Sequence, residues 1–198
     1  MTDSEWDDYA DGWDDDPAAR AYAAAAFASL ESLLGELGVT FEGLRVCDFG
    51  AGTGLLTERL VDRGASVDAV DSSPAMLAVL EAKATDRDWT IVRTMSVLDE
   101  RSEPYDLVVC SSVCGFLDDY PGTVTSLAGT LRGGGTFVQW DWEADPASGE
   151  DDGLSRAAIE SALAGASLEG IRVGVGFEIE FDGHTMAPLM GSGRRPAQ

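Results

Sequence analysis

Asp48-Phe49-Gly50-Ala51-Gly52-Thr53-Gly54 sets one acid and three glycines into a short stretch, directly after one apolar run and directly before another. Glycine adopts left-handed backbone conformations without steric cost, and its missing β-carbon lets a ligand lie against the main chain. A turn of this kind between a strand and a helix also aims the free N–H groups of the helix start, with their partial positive charge, at the sheet edge. The pattern predicts a site for an extended, polar, nucleotide-like ligand. Asp71 ends the next strand-like run, SVDAVD at 66–71. A carboxylate there accepts two hydrogen bonds from the 2′ and 3′ hydroxyls of a ribose. Charge-assisted bonds of this type contribute about 1.5–3 kcal/mol when well placed. Asp71 also stands where an acid would cap the helix after Ser72-Ser73-Pro74, although Ser73 is itself suited to that task.

Such a turn works only if regular elements hold it. Asp16-Pro17 reads as a helix cap followed by proline at the first helical position, and Tyr22, Ala26, Leu30, Leu33 and Leu37 follow at helical spacing over 17–37, closed by Gly38. Strands are expected at 43–49, 66–71, 89–93, 105–112 and 136–142, the last entered through Gly133-Gly134-Gly135. Between them the patterns predict helices from Thr53 to about Arg63, from Ser73-Pro74 to about Ala84, and from Pro121 to about Leu131. A stretch rich in Asp, Gly and Ser (145–153) precedes a helix near 154–164 and two β-rich segments, 171–181 and 184–191, joined by Asp182-Gly183. Asp-Gly between two such runs signals a hairpin. The expected fold class is α/β: a Rossmann-like, doubly wound, seven-stranded sheet, mostly parallel, with an antiparallel C-terminal hairpin strand. Residues 1–16 are expected to form an acidic, aromatic arm or lid, and 17–198 a single domain.

Composition narrows the function further. A length of 198 residues suits one well-filled domain. The 36 acids outnumber the 13 bases for a formal net charge of −23, and Lys83 is the only lysine. Such a balance fits either avoidance or mimicry of nucleic acid, or life in a salt-rich cytoplasm. The acids run along the whole chain, which favours the second, because molar salt shortens the Debye length to about 3 Å and screens the repulsion. No basic stripe offers itself to nucleic acid. No apolar run approaches the roughly 20 residues of a membrane helix, and no signal pattern opens the chain, so a cytoplasmic protein is expected. Cys47, Cys110 and Cys114 read as buried free thiols, and with His184 the single histidine, no metal site is expected.

A dinucleotide-binding domain shares this layout, but its third glycine comes one residue later, where this chain has Leu55. Asp48 would also oppose a pyrophosphate, whereas it suits the amino group and sulfonium of a methionine moiety. VCDFGAGTGLLTERL resembles the first motif of the class I S-adenosylmethionine-dependent methyltransferases, and VDAVDSSPAML their second. YDLVVCSSVCGFLDD resembles the fourth-strand motif and LRGGGTFVQWDW the glycine turn into strand five, so that the likeness runs over about residues 5–193. It resembles the small, minimally decorated members of that family.

The resemblance implies that Gly50, Ala51, Gly52 and Gly54 pass beneath the cofactor, that Asp48 orients its amino-acid end and that Asp71 holds its ribose. Ser72 and Met76 would flank ribose and adenine. The third-strand motif departs from the family by reading Arg93-Thr94-Met95-Ser96-Val97 without an acid, which leaves the adenine to Met95 and Ser96. Cys110 on the fourth strand, with Tyr9 and Trp13 on the arm, completes the expected cofactor set. Trp6, Tyr9 and Trp13 recur every three or four residues, so one helical face is expected to carry all three, either folding over the cofactor as a lid or filling a groove permanently. A small-molecule acceptor would enter beyond strands four and five, beside Phe116, Tyr120, Trp140 and Trp142 and the acids Asp118, Asp119 and Asp141. No catalytic residue is assigned, since methyl transfer needs alignment first and a base only for some acceptors. A cofactor-binding subunit that activates a partner, and an NAD-binding oxidoreductase, stand as alternatives.

Overall fold

Asp16 caps a helix as its type and place suggest: its carboxylate accepts the Ala18 N–H at 2.7 Å, one residue before Pro17 opens α2 (Pro17–Glu36). The computed structural model describes residues 3–98, 103–144 and 153–197, and contacts group the chain into two units, Met1–Arg101 and Ser102–Gln198.

In the first unit, α1 (Asp3–Ala10) and a 3-10 turn (Trp13–Asp15) precede α2, whose stripe of Tyr22, Ala26, Phe27, Leu30, Leu33 and Leu34 is buried. Then alternate β1 (Arg45–Phe49), α3 (Leu55–Asp62), β2 (Ser66–Val70), α4 (Pro74–Asp86) and β3 (Val92–Met95). All three strands are parallel, in the order β3-β2-β1, and the register sets Phe49 opposite Val70. That register brings the glycine turn level with Asp71. Ser73 caps α4 by accepting the Met76 N–H at 3.1 Å. Strand β3 starts at Val92 and not at 89, because the Trp89 N–H still bonds to the Ala84 carbonyl at 2.8 Å and its ring lies under the Arg87 guanidinium. Asp68, in mid-strand, is held from both sides: Arg45 reaches it at 2.5 Å and Arg93 forks onto it at 3.1 and 2.7 Å. Paired in this way, an acid is tolerated inside a sheet.

The second unit holds β4 (Tyr105–Ser111), a 3-10 turn (Cys114–Phe116), α5 (Tyr120–Gly129), β5 (Leu131–Asp141), α6 (Arg156–Gly165), β6 (Glu169–Val175), β7 (Ile179–Phe181), β8 (His184–Met186) and β9 (Leu189–Arg194). Strands run in the order β4-β5-β9-β6; β4 and β5 are parallel, and β9 is antiparallel to both β5 and β6. The triple glycine is not a turn before β5 but part of it. Gly134 donates to the Arg195 carbonyl and Arg195 donates back to Gly135, both at 2.9 Å, so the glycines pair with the chain end. Each of the two C-terminal β-rich segments splits in two. The outer halves, β6 and β9, join the main sheet, whereas β7 and β8 pair only with each other across Asp182 (φ +48°) and Gly183 (φ +78°). Those angles are the ones an Asp-Gly hairpin turn requires.

The strands, three in the first unit and four in the second, give the Rossmann-like, mostly parallel seven-stranded α/β class that the sequence predicts, with β9 as its antiparallel member. All three cysteines are buried and free. Among the described residues no helix is long and apolar enough to cross a membrane.

Candidate functional site: a glycine turn between two carboxylates

Three left-handed residues within five define the turn after β1: Gly50 at φ +74°, Gly52 at +56° and Gly54 at +87°. Any side chain at these positions would be strained, which is why the turn is written in glycine. Gly50 and Ala51 both donate to the Val70 carbonyl, at 2.8 and 3.0 Å, and tie the turn to the end of β2. Gly54 opens α3 without a side-chain cap of its own, and the Thr57 N–H in the first turn bonds instead to the Asp48 carboxyl. Met76 is buried beneath the turn, with its sulfur 4.0 Å from where a Gly52 β-carbon would stand.

Asp48 and Asp71 flank this turn and behave differently. Asp48 is buried, and Thr57 donates to its Oδ2 at 2.6 Å, while Oδ1 has no partner. Burial pushes its carboxyl up to about 6, the Asp71 charge adds to the rise, and the Thr57 bond opposes it. A buried, half-satisfied carboxylate carries a free-energy cost, and it is an acceptor for a cationic donor. Asp71 accepts the Gly52 N–H at 2.7 Å on Oδ2 and the Ser73 N–H at 2.9 Å on Oδ1. With these two bonds Asp71 braces the turn against the start of α4. Ser72 is exposed beside it; Met95 ends β3 half-buried, its carbonyl accepting the Asp71 N–H at 3.1 Å, and Ser96 is exposed.

The arm docks on the same unit. Trp6, Tyr9 and Trp13 pack into one cluster, with ring centroids 6.2–6.4 Å apart and tilted or edge-on geometry. Tyr9 stays half exposed, while Trp6 and Trp13 are partly covered. Two acids bind this arm down. Asp7 accepts from the Ser73 hydroxyl at 2.5 Å and from the Ala75 N–H at 3.3 Å. Asp14 accepts from the Thr53 hydroxyl at 2.6 Å and pairs with Lys83 at 2.5 Å. Sequence reading missed these contacts, because a pair separated by 39 or 66 residues leaves no local pattern.

In the second unit, the carboxyl ends of β4 and β5 hold a buried polar network. The Tyr120 hydroxyl donates to Gln139 at 2.8 Å, and Gln139 donates to Asp141 Oδ2, also at 2.8 Å. Asp141 Oδ1 accepts the Gly115 N–H at 3.0 Å, and the Cys114 N–H and thiol also donate to this carboxyl. Burial pushes Asp141 up to about 7 against those bonds. The Cys114 thiol is pushed up by its contact with Cys110 and by burial, and burial likewise raises Tyr120. Of the expected acceptor residues, Tyr120 and Trp140 are buried, with Trp140 filling the space that Gly176 leaves open. Phe116 is partly covered and Trp142 exposed; Asp118 is exposed, and Asp119 caps α5 on the Gly122 N–H at 3.0 Å. Cys110 is buried within β4. Gln139 was not foreseen, although a Gln and an Asp two apart in an apolar strand share one face and signal a paired buried network.

A glycine turn at the carboxyl end of the first parallel strand, with an acid on each side, defines a nucleotide-cofactor domain of the Rossmann-like class. Residues 47–139 match the protein family described as Methyltransferase domain. The ubiquinone biosynthesis O-methyltransferase of Xylella fastidiosa is similar, 32% identical over 101 residues that make up 49% of this chain and 41% of that protein. The chain thus matches about two-fifths of the length of such curated relatives. Among solved structures, magnesium protoporphyrin IX methyltransferase from Synechocystis PCC 6803, with bound SAM, shares the fold at a TM-score of 0.69, 19% identity, and 90% and 81% coverage of the two chains. A chain in the complex between the Haloferax volcanii Trm112 methyltransferase activator and a putative methyltransferase does so at 0.70, with 21% identity and 97% and 98% coverage. The match to the methyltransferase-domain family thus takes in somewhat less than half of the chain, and the solved methyltransferase structures share its Rossmann-like fold.

Proposed function

We propose that the protein transfers a methyl group from S-adenosylmethionine to a small-molecule acceptor in the cytoplasm. The observation that carries this reading is the unpartnered Oδ1 of Asp48, buried beside a glycine turn. An ammonium donor satisfies that oxygen and favours the ionised carboxylate; a pyrophosphate does neither. Asp48 would hold the amino-acid end of the cofactor, Asp71 its ribose, and Gly50, Ala51, Gly52 and Gly54 the floor beneath it, with Ser72, Met76, Met95 and Ser96 around ribose and base. When bound, the cofactor supplies a methyl group on a sulfonium that is already an electrophile. The protein's share is to orient and to exclude water, and orientation alone contributes about 7–11 kcal/mol in well-aligned systems. Phe116 and Trp142 keep exposed surface for an acceptor, and the Asp141 network fixes the turn that carries Phe116. The arm, with Tyr9 and Trp13, would serve as a lid over the cofactor.

Thermal shift with S-adenosylmethionine, S-adenosylhomocysteine and NAD tests the cofactor. The first two should raise the melting temperature and NAD should leave it unchanged. Stabilisation by NAD alone would return the chain to the oxidoreductase reading. Transfer of labelled methyl from the cofactor into a metabolite extract tests the activity and identifies the acceptor. Cofactor binding without transfer to any extract would favour an accessory, cofactor-binding role.

A further inference from the structure

Thr53 lies between two left-handed glycines, Gly52 and Gly54, whose N–H groups are held from within the turn and its neighbouring strand, Gly52 by Asp71 at 2.7 Å and Gly54 by the Ala51 carbonyl at 2.9 Å. Its buried hydroxyl is instead fastened from outside, by Asp14 of the arm at 2.6 Å. The other oxygen of the same carboxylate meets Lys83 of α4 at 2.5 Å, with only 15% of the lysine side chain exposed. We propose that Asp14, acting through Thr53, is a positioning residue for the cofactor, and that its ion pair with Lys83 is the latch holding the arm beside the glycine turn. The proposal rests on the lid reading above and adds to it a named fastening.

Three observations converge on this pair. Asp14 is the one described residue that joins the arm to both the turn and α4 through a single side chain. Lys83 is the only lysine among the 13 basic residues of the sequence. The Lys83 ammonium is a point charge and meets one oxygen of Asp14, which leaves the other to the Thr53 hydroxyl, so that one carboxylate performs both tasks. A second clasp, Asp7 on Ser73 and Ala75, ties the arm to the start of α4, which Asp71 also braces. The turn, Asp71 and α4 are thus bound into one frame that the arm completes.

The sole lysine also provides the measurement. Brief treatment of the full-length protein with acetic anhydride, followed by peptide mass spectrometry, reads acetylation at Lys83 separately from the N-terminal amine. Saturating S-adenosylhomocysteine should slow Lys83 acetylation at least about tenfold and slow proteolysis within residues 1–16. By calorimetry, Asp14→Ala and Thr53→Val should each weaken S-adenosylhomocysteine about five- to twentyfold. Thr53→Ser, which keeps the hydroxyl, should bind as the parent does. Asp14→Asn and Lys83→Met, which break the ion pair alone, should speed dissociation more than they slow association. If the ligand protects the arm from protease while these variants bind like the parent, the latch is wrong and the lid stands. If the ligand binds and the arm is cleaved as before, lid and latch fall together. If the parent does not bind the ligand, the methyltransferase reading itself is lost. Thr53→Val and Thr53→Ser binding alike would assign the hydroxyl a structural role only.

Discussion

Asp48 is placed where its ionisation is costly, and that sets a pH dependence whose sign can be worked out. Its carboxyl titrates near 6, above the ordinary value of 3.8. Between those values the folded protein binds more protons than the unfolded chain, so stability falls as pH rises through this window. About two units of difference amount to about 3 kcal/mol. Asp48→Asn should therefore raise the melting temperature of the ligand-free protein at pH 7.5 while weakening S-adenosylhomocysteine at least about tenfold. In the parent, affinity should decline as pH drops below about 6, when the carboxylate that meets the amino group is neutralised. Calorimetry between pH 7 and 5 that shows constant affinity would take Asp48 out of that role. Asp71→Ala should cost about ten- to a hundredfold in affinity. It should also lower stability, since it frees the Gly52 and Ser73 N–H groups. An affinity unchanged in chromatography-pure, folded Asp71→Ala would leave the residue as a brace only. Both acids were legible in the sequence because each sits next to a local signal, the glycine turn or a strand end. Thr57, which donates to Asp48, was not, since a threonine in the first turn of a helix carries no mark of the acid it faces.

Elements whose ends are fixed by local chemistry were readable, and those fixed by distant partners were not. Asp16 and Ser73 cap α2 and α4 as their types require, and Asp182-Gly183 makes the hairpin turn. Strand β5 extends back to Leu131 through three glycines, of which Gly134 and Gly135 bond to Arg195, far along the chain. Helix spacing by glycine is another long-range matter. A β-carbon at Gly54 would overlap the Leu80 side chain of α4, and at Gly191 it would overlap Ile159 of α6. Gly54→Ala adds a positive φ of +87° to that overlap. It should destabilise the protein by about 1–3 kcal/mol in urea unfolding. A midpoint equal to the parent's would mean that Leu80 swings aside without loss. The arm was legible as aromatic spacing only in part. Helix α1 ends at Ala10 and Gly12 is left-handed, so Trp13 joins Trp6 and Tyr9 from a separate 3-10 turn and not from one helical face. The anchoring through Asp7 and Asp14 became visible only in three dimensions.

At the scale of the molecule, a formal charge of −23 opposes folding at every pH where the acids are ionised. If the acids are an adaptation to salt, melting temperature should climb steeply between about 0.1 M potassium chloride and the molar range, as the Debye length falls from about 10 Å to about 3 Å. A flat profile would remove that explanation and call for a cationic partner. The class of fold was available from the alternation of elements and the order of motifs, because those are written at short range along the chain. The acceptor was not, since an aromatic residue such as Phe116 or Trp142 reads alike in the sequence whether it packs or meets a ligand. One further property follows from where the three thiols lie. Cys47, Cys110 and Cys114 are all buried, and together they are the whole cysteine content of the chain. The surface therefore offers air oxidation no thiol through which two molecules can be joined, and the native protein should stay free of intermolecular disulfides without added reductant. A cysteine introduced at the half-exposed Tyr9 would then be the single reactive thiol, ready to carry a fluorophore or spin label on the arm itself.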